Sequence, residues 1–540
     1  MHNSLTEPLL DDKDKPLFHR LNDLVDLEQH QEALQLVDKR LRAPMNLDAL
    51  CDKLLLLDLA GQLIDIGTRT ADAEVIKKGL FILEDKRDIL QTAVTPSSYD
   101  YCIGNAYGAL FSIQRTSPTF PLCPESTENA RQAQNHYWAA YRIPNPEDDA
   151  LRKQLLTNLG NTMLDCYRFV EAIALYDEVL HLDPAFPQAH IARSSALLQL
   201  NEVSDTYTMT LLHQACSGYA MGLTWPCATQ QERDECARRV KAIESIVLRH
   251  GYDHQAHVRD EIQKQTETGQ NSEYRKFCIG MHLCLSEHSL YCSCAGSSQD
   301  DLPITMAKTS IGGHFVPRME FMLNRLKVEF SFARLLFYQG SGSRECGWDL
   351  YQDELRFTDL HESERIGPRT EMVRLSFRMC FGILDRIARA VCELYELSAA
   401  SDKVYFESFW KHGKARDGCD RWQAVNHTAN PLLVALYSLA YDLSPNGRWP
   451  DFKEWRNSLE HGFLVIRCDD TRDLDPLSVT RPTEGDVIVS HELFIERTLL
   501  LLRMTRAAIM YFAFLVRQKA FQIKPSSAMR IMLSPKPTVM

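Results

Sequence analysis

Apolar residues recur at three- and four-residue spacing through most of the chain, and this pattern predicts a mostly all-α protein. In the first half the predicted helices come in pairs. Segments 21–41 and 47–90 read as two pairs, and 189–200 with 209–223 as another, followed by a charged helix at 230–249. Residues 263–273 (QKQTETGQNSE) are polar, include a Gly and hold no large apolar side chain, so they read as a linker. Residues 274–294 read as partly helical, then partly extended. From about Phe321 the helical period returns in five segments, 322–338, 369–397, 431–443, 451–466 and 492–520, which predict a helical bundle. The Pro- and Ser-containing tail after Gln522 is expected to fray. The expected organisation is a helical-repeat array over 1–262, a linker with a small Cys-rich mixed segment over 263–320, a helical bundle over 321–522 and a flexible tail over 523–540. The most apolar stretch, 498–516, is broken by Arg503 and Arg506. It fails as a membrane span and reads as a buried helix.

The clearest repeat runs over 153–186. Leu156, Leu159, Gly160 and Met163 lie on its first helix, Ala172, Tyr176 and Val179 on its second, and Pro184 ends it. A small residue at Gly160 lets the two helices approach, an aromatic at Tyr176 fills the space between them, and Pro184 stops the second helix. Ile103, Gly104 and Tyr107 repeat the first-helix pattern. Ala133, Tyr137 and Ala140, followed by Pro144, repeat the second, with a Pro-containing insertion at 116–129 between them. The spacing resembles the 34-residue tetratricopeptide repeat, clearly in one unit and in degenerate form beside it. Such arrays present concave surfaces, so a protein or peptide partner is expected on this half.

The charge divides with the pattern. The whole chain carries 60 basic and 72 acidic residues, a net −12, which argues against tight non-specific binding of nucleic acid. Residues 301–540 hold 32 basic and 30 acidic residues, and residues 1–300 the other 28 and 42. The acidity therefore belongs to the repeat half. The C-terminal half is near neutral and prefers Arg to Lys, which suits phosphate clamping. The beginning of the chain lacks the basic and apolar regions of a secretory signal, and the 16 Cys read as reduced, small core residues of a cytoplasmic, bacterial-type protein.

Candidate chemistry sits in segment 451–466, which contains RNSLEH: Arg456, Asn457, Ser458, Leu459, Glu460 and His461. Asn457 and His461, four apart, share a helix face, and Arg456 lies about 140° round from His461. A cation, a carboxamide and an imidazole on one helix suit metal-independent RNA cleavage. His461 can take the proton of a ribose 2′-OH or protonate the leaving 5′-oxygen. Arg456 can clamp the phosphate and stabilise developing charge, and Asn457 can orient either partner. Attack by the 2′-OH would leave a 2′,3′-cyclic phosphate.

The R-N-x3-H form inside a helical bundle resembles the signature of HEPN-domain ribonucleases. LNRLKVEFSFARLLFY, FRMCFGILDRIARAV, YFESFWK and NPLLVALYSLAYDL are similar to the HEPN variety found behind tetratricopeptide arrays in large bacterial proteins. The resemblance covers roughly 274–520 and departs from the family in the Cys-rich segment and the loop 411–427. It implies that Arg456, Asn457 and His461 are the active-site residues. It also implies a homodimer whose two motifs share one composite site, no cofactor, and a tRNA, rRNA or mRNA target in toxin-type growth arrest or antiviral defence. Asp385, Asn430 and Glu460 are candidates to support the motif. For Asp385, however, an ordinary helix ion pair with Arg389 is the simpler expectation, and Asn430, just before Pro431, reads as a helix N-cap.

A rival cluster is Cys278, His282, Cys284, His288, Cys292 and Cys294, whose density invites a zinc reading. It lacks the paired C-x2-C knuckle, and packing thiols are the expected alternative. No Walker-type loop, dinucleotide fingerprint or HExxH motif is present. The rival from another class is a non-enzymatic scaffold, in which the repeats bind a partner and the bundle only dimerises or binds RNA or nucleotide.

Overall fold

Nineteen α-helices, three short 3-10 helices and one two-stranded sheet account for the regular structure of the described residues. The computed structural model describes residues 10, 14–93, 96–142, 149–204, 208–226, 228–249, 271–293, 295–304, 315–342, 364–397, 404–410, 421–467 and 487–521. The chain divides into two compact units, one drawn from within 1–198 and 215–245, the other from within 199–214 and 246–529. Most of the expected linker and the whole tail beyond residue 522 lie outside the described residues, as does Pro144.

The first unit stacks consecutive helices as antiparallel neighbours. Helices α1 (Lys15–Asp26) and α2 (His30–Leu41) pair, as do α3 (Leu50–Arg69) and α4 (Ala73–Asp85). The short α5 (Arg87–Leu90) follows, then the pairs α6 (Pro96–Thr116) with α7 (Glu128–Arg142) and α8 (Asp149–Asp165) with α9 (Phe169–Leu182). The larger parts of α10 (Pro187–Ser204), α11 (Met209–Leu223) and α12 (Gln230–Arg249) also belong to this unit, while 199–204, 209–214 and 246–249 belong to the second. The predicted repeat chemistry is visible in two pairs. A Cβ on Gly160 would stand 2.5 Å from the Tyr176 ring, and one on Gly104 2.7 Å from the Tyr137 ring. Each tyrosine is buried, and each hydroxyl donates to the asparagine following that glycine: Tyr176 to Asn161 at 2.9 Å and Tyr137 to Asn105 at 2.8 Å. The glycine therefore sets the helix separation, and the Gly-Asn dipeptide reads the ring from both sides. The intervals differ, 16 residues in one pair and 33 in the other, because the second spans the insertion at 116–129.

The second unit is built on three long helices, α14 (Val316–Ser341), α15 (Pro368–Tyr395) and α19 (His491–Phe521), which pack against one another. Around them lie α13 (Glu273–Gly280), α16 (Arg421–Thr428), α17 (Pro431–Asp442) and α18 (Asp451–His461). The apolar stretch at 498–516 is the core of α19. Leu501, Leu502 and every residue from Ala507 to Val516 are buried, so a helix long and apolar enough to cross a membrane is here an internal one. The arginines of α14 and α19 tie down segment 271–304. Arg334 forms a bidentate pair with Asp300 at 2.6 and 2.9 Å and donates to the Leu283 carbonyl at 2.7 Å. Arg503 donates to the Met281 carbonyl at 3.0 Å, and Arg506 to the Cys284 carbonyl at 2.7 Å. Arg517 pairs with Glu287 at 2.6 Å. Planar, multiply bonded guanidinium groups make buried charge tolerable there.

Two expectations change. Segment 274–294 has no strand among its described residues; after α13 it continues through coil and a 3-10 turn at His288–Leu290. The extended structure lies instead beyond α18, which stops at His461 rather than continuing to residue 466. Strand β1 (Leu464–Arg467) follows and pairs in parallel with β2 (Val487–Ser490), Leu464 opposite Val487. Gly462 ends the helix, and the β-branched, apolar run beyond it joins a sheet; a short apolar run carries no periodicity that separates the two states.

Candidate active site

Helix α18 opens with Asp451 and Glu454 in its first turn, where carboxylates complement the helix dipole. Its inward face is Phe452 and Trp455, three apart and both buried. Phe452 and Trp455 pack on Phe377 of α15 with ring centroids 5.7 and 6.1 Å away, and Trp455 also meets Phe494 of α19 at 5.6 Å. Fixing that face turns Asn457 and His461 outward and leaves Arg456 between the core and solvent.

Arg456 is held from three sides. Its Nη2 donates to Asp385 Oδ2 at 3.2 Å, its Nε lies 3.6 Å from Glu460 Oε1, and its guanidinium lies over the Phe381 ring, 5.2 Å from the centroid. Asp385 is therefore a partner of the motif, across 71 residues, and not of Arg389 on its own helix. Asp385 also accepts the Phe406 backbone N–H at 2.8 Å. Burial pushes the Asp385 carboxyl above its ordinary range, while the Phe406 amide and Arg456 pull it back down. His461 is at the last residue of the helix with 79% of its side chain exposed, and its Nε2 lies 3.8 Å from Glu460 Oε2. Glu460 thus stands between the cation and the imidazole. Asn457 is exposed. Phe463, two residues past His461, is 74% exposed.

The structure brings Arg456, His461, Glu460 and Asp385 together, with Asn457 on the same helix. Asn430 serves elsewhere: its Oδ1 accepts the Leu432 N–H at 2.9 Å and caps α17. Phe381 was not singled out from sequence. Its place four residues before Asp385, on the same face of α15, was the available signal.

The cysteine cluster does not form a metal centre among the described residues, where no group of three or more His, Cys, Asp or Glu converges. Cys278 and Cys284 are buried, and burial raises both thiols, Cys284 to about 11. His282 is pushed down to about 4, by burial first and then by Arg506 and Arg503. Arg503 and Arg506, whose charges lower the His282 pKa, place positive charge beside these residues, which opposes a dication. His288 meets Tyr291, Nδ1 to hydroxyl at 3.2 Å. Cys294 lies outside the described residues.

In comparison with known families, residues 312–519 match the model described as LA2681-like HEPN, a span that contains the whole motif and less than half of the chain. No curated protein and no solved structure matches the chain. The matched span, which carries Arg456, Asn457 and His461, is similar to LA2681-like HEPN domains.

Proposed function

We propose that the chain is an endoribonuclease whose HEPN domain cleaves RNA by attack of a ribose 2′-OH on the adjacent phosphate. The observation that carries this reading is the outward-facing end of α18. There Arg456, fixed by Asp385 and Glu460, lies five residues along the helix from an imidazole open to solvent. His461 takes the 2′-OH proton as the O2′–P bond forms. The P–O5′ bond breaks, and the 5′-oxygen must gain a proton. The products are a 2′,3′-cyclic phosphate and a 5′-OH end. The nucleophile belongs to the substrate, so no metal-activated water is required. Among the described residues one chain supplies one histidine at this site, whereas the reaction uses a base and an acid. A second copy, bringing its own motif across a two-fold axis, supplies the other and covers the exposed helix end.

The helical-repeat half then acts as a partner-binding regulator, with a protein or peptide on its concave face. RNA cleavage released by such a partner would stop growth or block an invader, the role the family resemblance implies.

One observation favours the scaffold reading: both carboxylates near Arg456 already engage it, as in a purely structural ion pair. The experiment that decides is incubation of the full chain and its His461→Ala variant with total RNA, followed by mapping of new ends. Cleavage by the parent alone, leaving cyclic phosphates, supports the nuclease. Equal cleavage by both, or activity in a strictly monomeric protein by light scattering, contradicts the mechanism.

A further inference from the structure

An open groove of about 540 Å³ lies between α14 and α15 and is also lined by Glu460, the residue that touches both Arg456 and His461. Its apolar lining is exposed to a degree unusual for packed helices. Val328 is 64%, Phe332 50% and Leu375 42% exposed, with Met379 beside them. These are paired at four-residue spacing, Val328 with Phe332 on α14 and Leu375 with Met379 on α15, so each helix contributes one stripe. The rim is cationic. Arg325 and Arg386 both reach Glu329, at 2.9 and 2.7 Å, and Arg378 stands exposed with no carboxylate partner among the described residues. Three guanidinium groups thus face two carboxylates, Glu329 and Glu460, and the second of these is already engaged by Arg456.

The groove floor contains Gly382, inside the 28-residue helix α15, where glycine weakens a helix relative to alanine. Packing gives no reason for it. A Cβ there would meet, within 4 Å, one group: the movable guanidinium of Arg386 at 3.3 Å. Contrast Gly160, where a ring stands 2.5 Å away. A side-chain-free position that neighbouring residues do not require is what close approach of a ligand to the helix backbone would require.

We infer that this groove holds an unpaired stretch of the RNA beside the cleaved phosphate. A base stacks on Phe332 over the apolar floor, and Arg378 with Arg325 and Arg386 takes the backbone phosphates. Exposed aromatic surface between arginines is the combination that binds single strands, since each base offers a stacking face and each linkage a charge. Continuity with the motif favours RNA over a protein occupant: Glu460, which lines the groove, also touches Arg456 and His461. A second copy docked on this surface through a two-fold axis would set a concave face against itself and arginines against arginines. The inference rests on the ribonuclease reading for its direction, and its test separates the two.

The test uses the full chain carrying His461→Ala, so that RNA stays intact, and a 5′-fluorescein-labelled oligouridine 15-mer, with an RNA duplex of the same length as control. Phe332→Ala should weaken oligouridine binding roughly 5- to 100-fold, the range of one lost base–aromatic stack, and leave duplex binding unchanged. Arg378→Ala should reduce the salt dependence of binding by about 0.7 in the log–log slope. Gly382→Leu, which fills the floor, should lower affinity while keeping or raising the melting temperature, a combination that damage to the fold would not produce. Oligouridine affinity unchanged in all three variants overturns the inference, as does absence of binding to the His461→Ala protein. Dispersal of a dimer by Phe332→Ala, with RNA affinity intact, also overturns it and makes the groove a protein interface. If the parent protein cleaves RNA while these variants bind normally, the groove assignment falls and the nuclease stands. If it does not cleave but the variants lose binding, the reverse holds.

Discussion

Replacing Asp385 by Asn separates the two roles of that carboxylate. In the structure one oxygen accepts the Phe406 N–H at 2.8 Å and the other accepts from Arg456 at 3.2 Å. Asn keeps the first acceptor and presents an NH2 to the guanidinium. A charged hydrogen bond contributes ~1.5–3 kcal/mol, but here the two side chains are 20% and 24% exposed, which places the loss at the lower end of that range. Against it stands the relief of an ionised carboxylate that burial disfavours, since desolvation raises the Asp385 pKa. The two effects oppose, so the net change in stability should stay within about 1 kcal/mol. The effect on catalysis should be larger. Arg456 would keep Glu460 at 3.6 Å and the face of Phe381, neither of which fixes the guanidinium plane. A displacement of about 1 Å at a reacting group costs up to ~100-fold in rate, so kcat should fall ~10- to 100-fold. Asp385→Ala adds an orphaned Phe406 N–H and should cost ~1–3 kcal/mol more in stability with little further loss of rate. Thermal unfolding and single-turnover cleavage of a labelled RNA measure both quantities. An Asn variant with full activity and a stability loss above about 2 kcal/mol would refute the positioning role and leave Asp385 as a fold contact.

Two other perturbations test the surrounding structure. His282, at φ 56° and pushed down to about 4, is neutral in the fold and protonated in the unfolded chain between its ordinary pKa of 6.5 and 4. Its contribution is therefore present above pH 6.5 and lost as pH falls towards 4, about 3 kcal/mol in all. His282→Asn, which tolerates positive φ and does not titrate, should flatten that part of the stability profile in denaturant titrations at pH 7 and 4.5; an unchanged profile would reject the assignment. Gly160→Ala should destabilise the first unit by ~1–3 kcal/mol in urea unfolding, because its Cβ meets Tyr176, whereas Gly382→Ala should stabilise the second by up to ~1 kcal/mol; equal effects at the two glycines would undo the packing argument.

What was legible in the sequence follows the range of each interaction. The helix pairs and the Gly160–Tyr176 contact are encoded within one repeat, where spacing alone brings the partners together, and the internal character of 498–516 follows from its two arginines. The end of α18 was less legible. Segment 464–467 is a four-residue apolar run whose partner, 487–490, is supplied from further along the chain, so local periodicity extended the helix through it. The partner of Asp385 was not legible at all by spacing. Arg389 stands four residues away on α15, and Arg456 wins because α18 is pinned on Phe377 by Phe452 and Trp455, a packing decision among residues remote in sequence. The same limit applied to the cysteines: six metal-capable residues within 17 positions look alike in sequence, and the arginines that make their neighbourhood cationic come from α14 and α19.

Those arginines also alter the meaning of the charge distribution. A near-neutral C-terminal half that prefers Arg to Lys reads from sequence as a phosphate-binding surface. In the folded unit Arg334, Arg503, Arg506 and Arg517 have guanidinium donors committed to carbonyls and carboxylates of segment 271–304 rather than to a phosphate. Arg448 is likewise buried against Asp442. The preference for Arg thus has a structural origin first, since a five-donor planar group can satisfy several buried acceptors where an ammonium cannot. The cations still able to meet a phosphate are those at the groove and at the end of α18, a local patch on a chain of net charge −12. An enzyme built this way should bind RNA weakly and with a shallow salt dependence, because few phosphates are contacted at once. On the proposed reading its selectivity should come from the stacking surface, not from affinity for the polyanion.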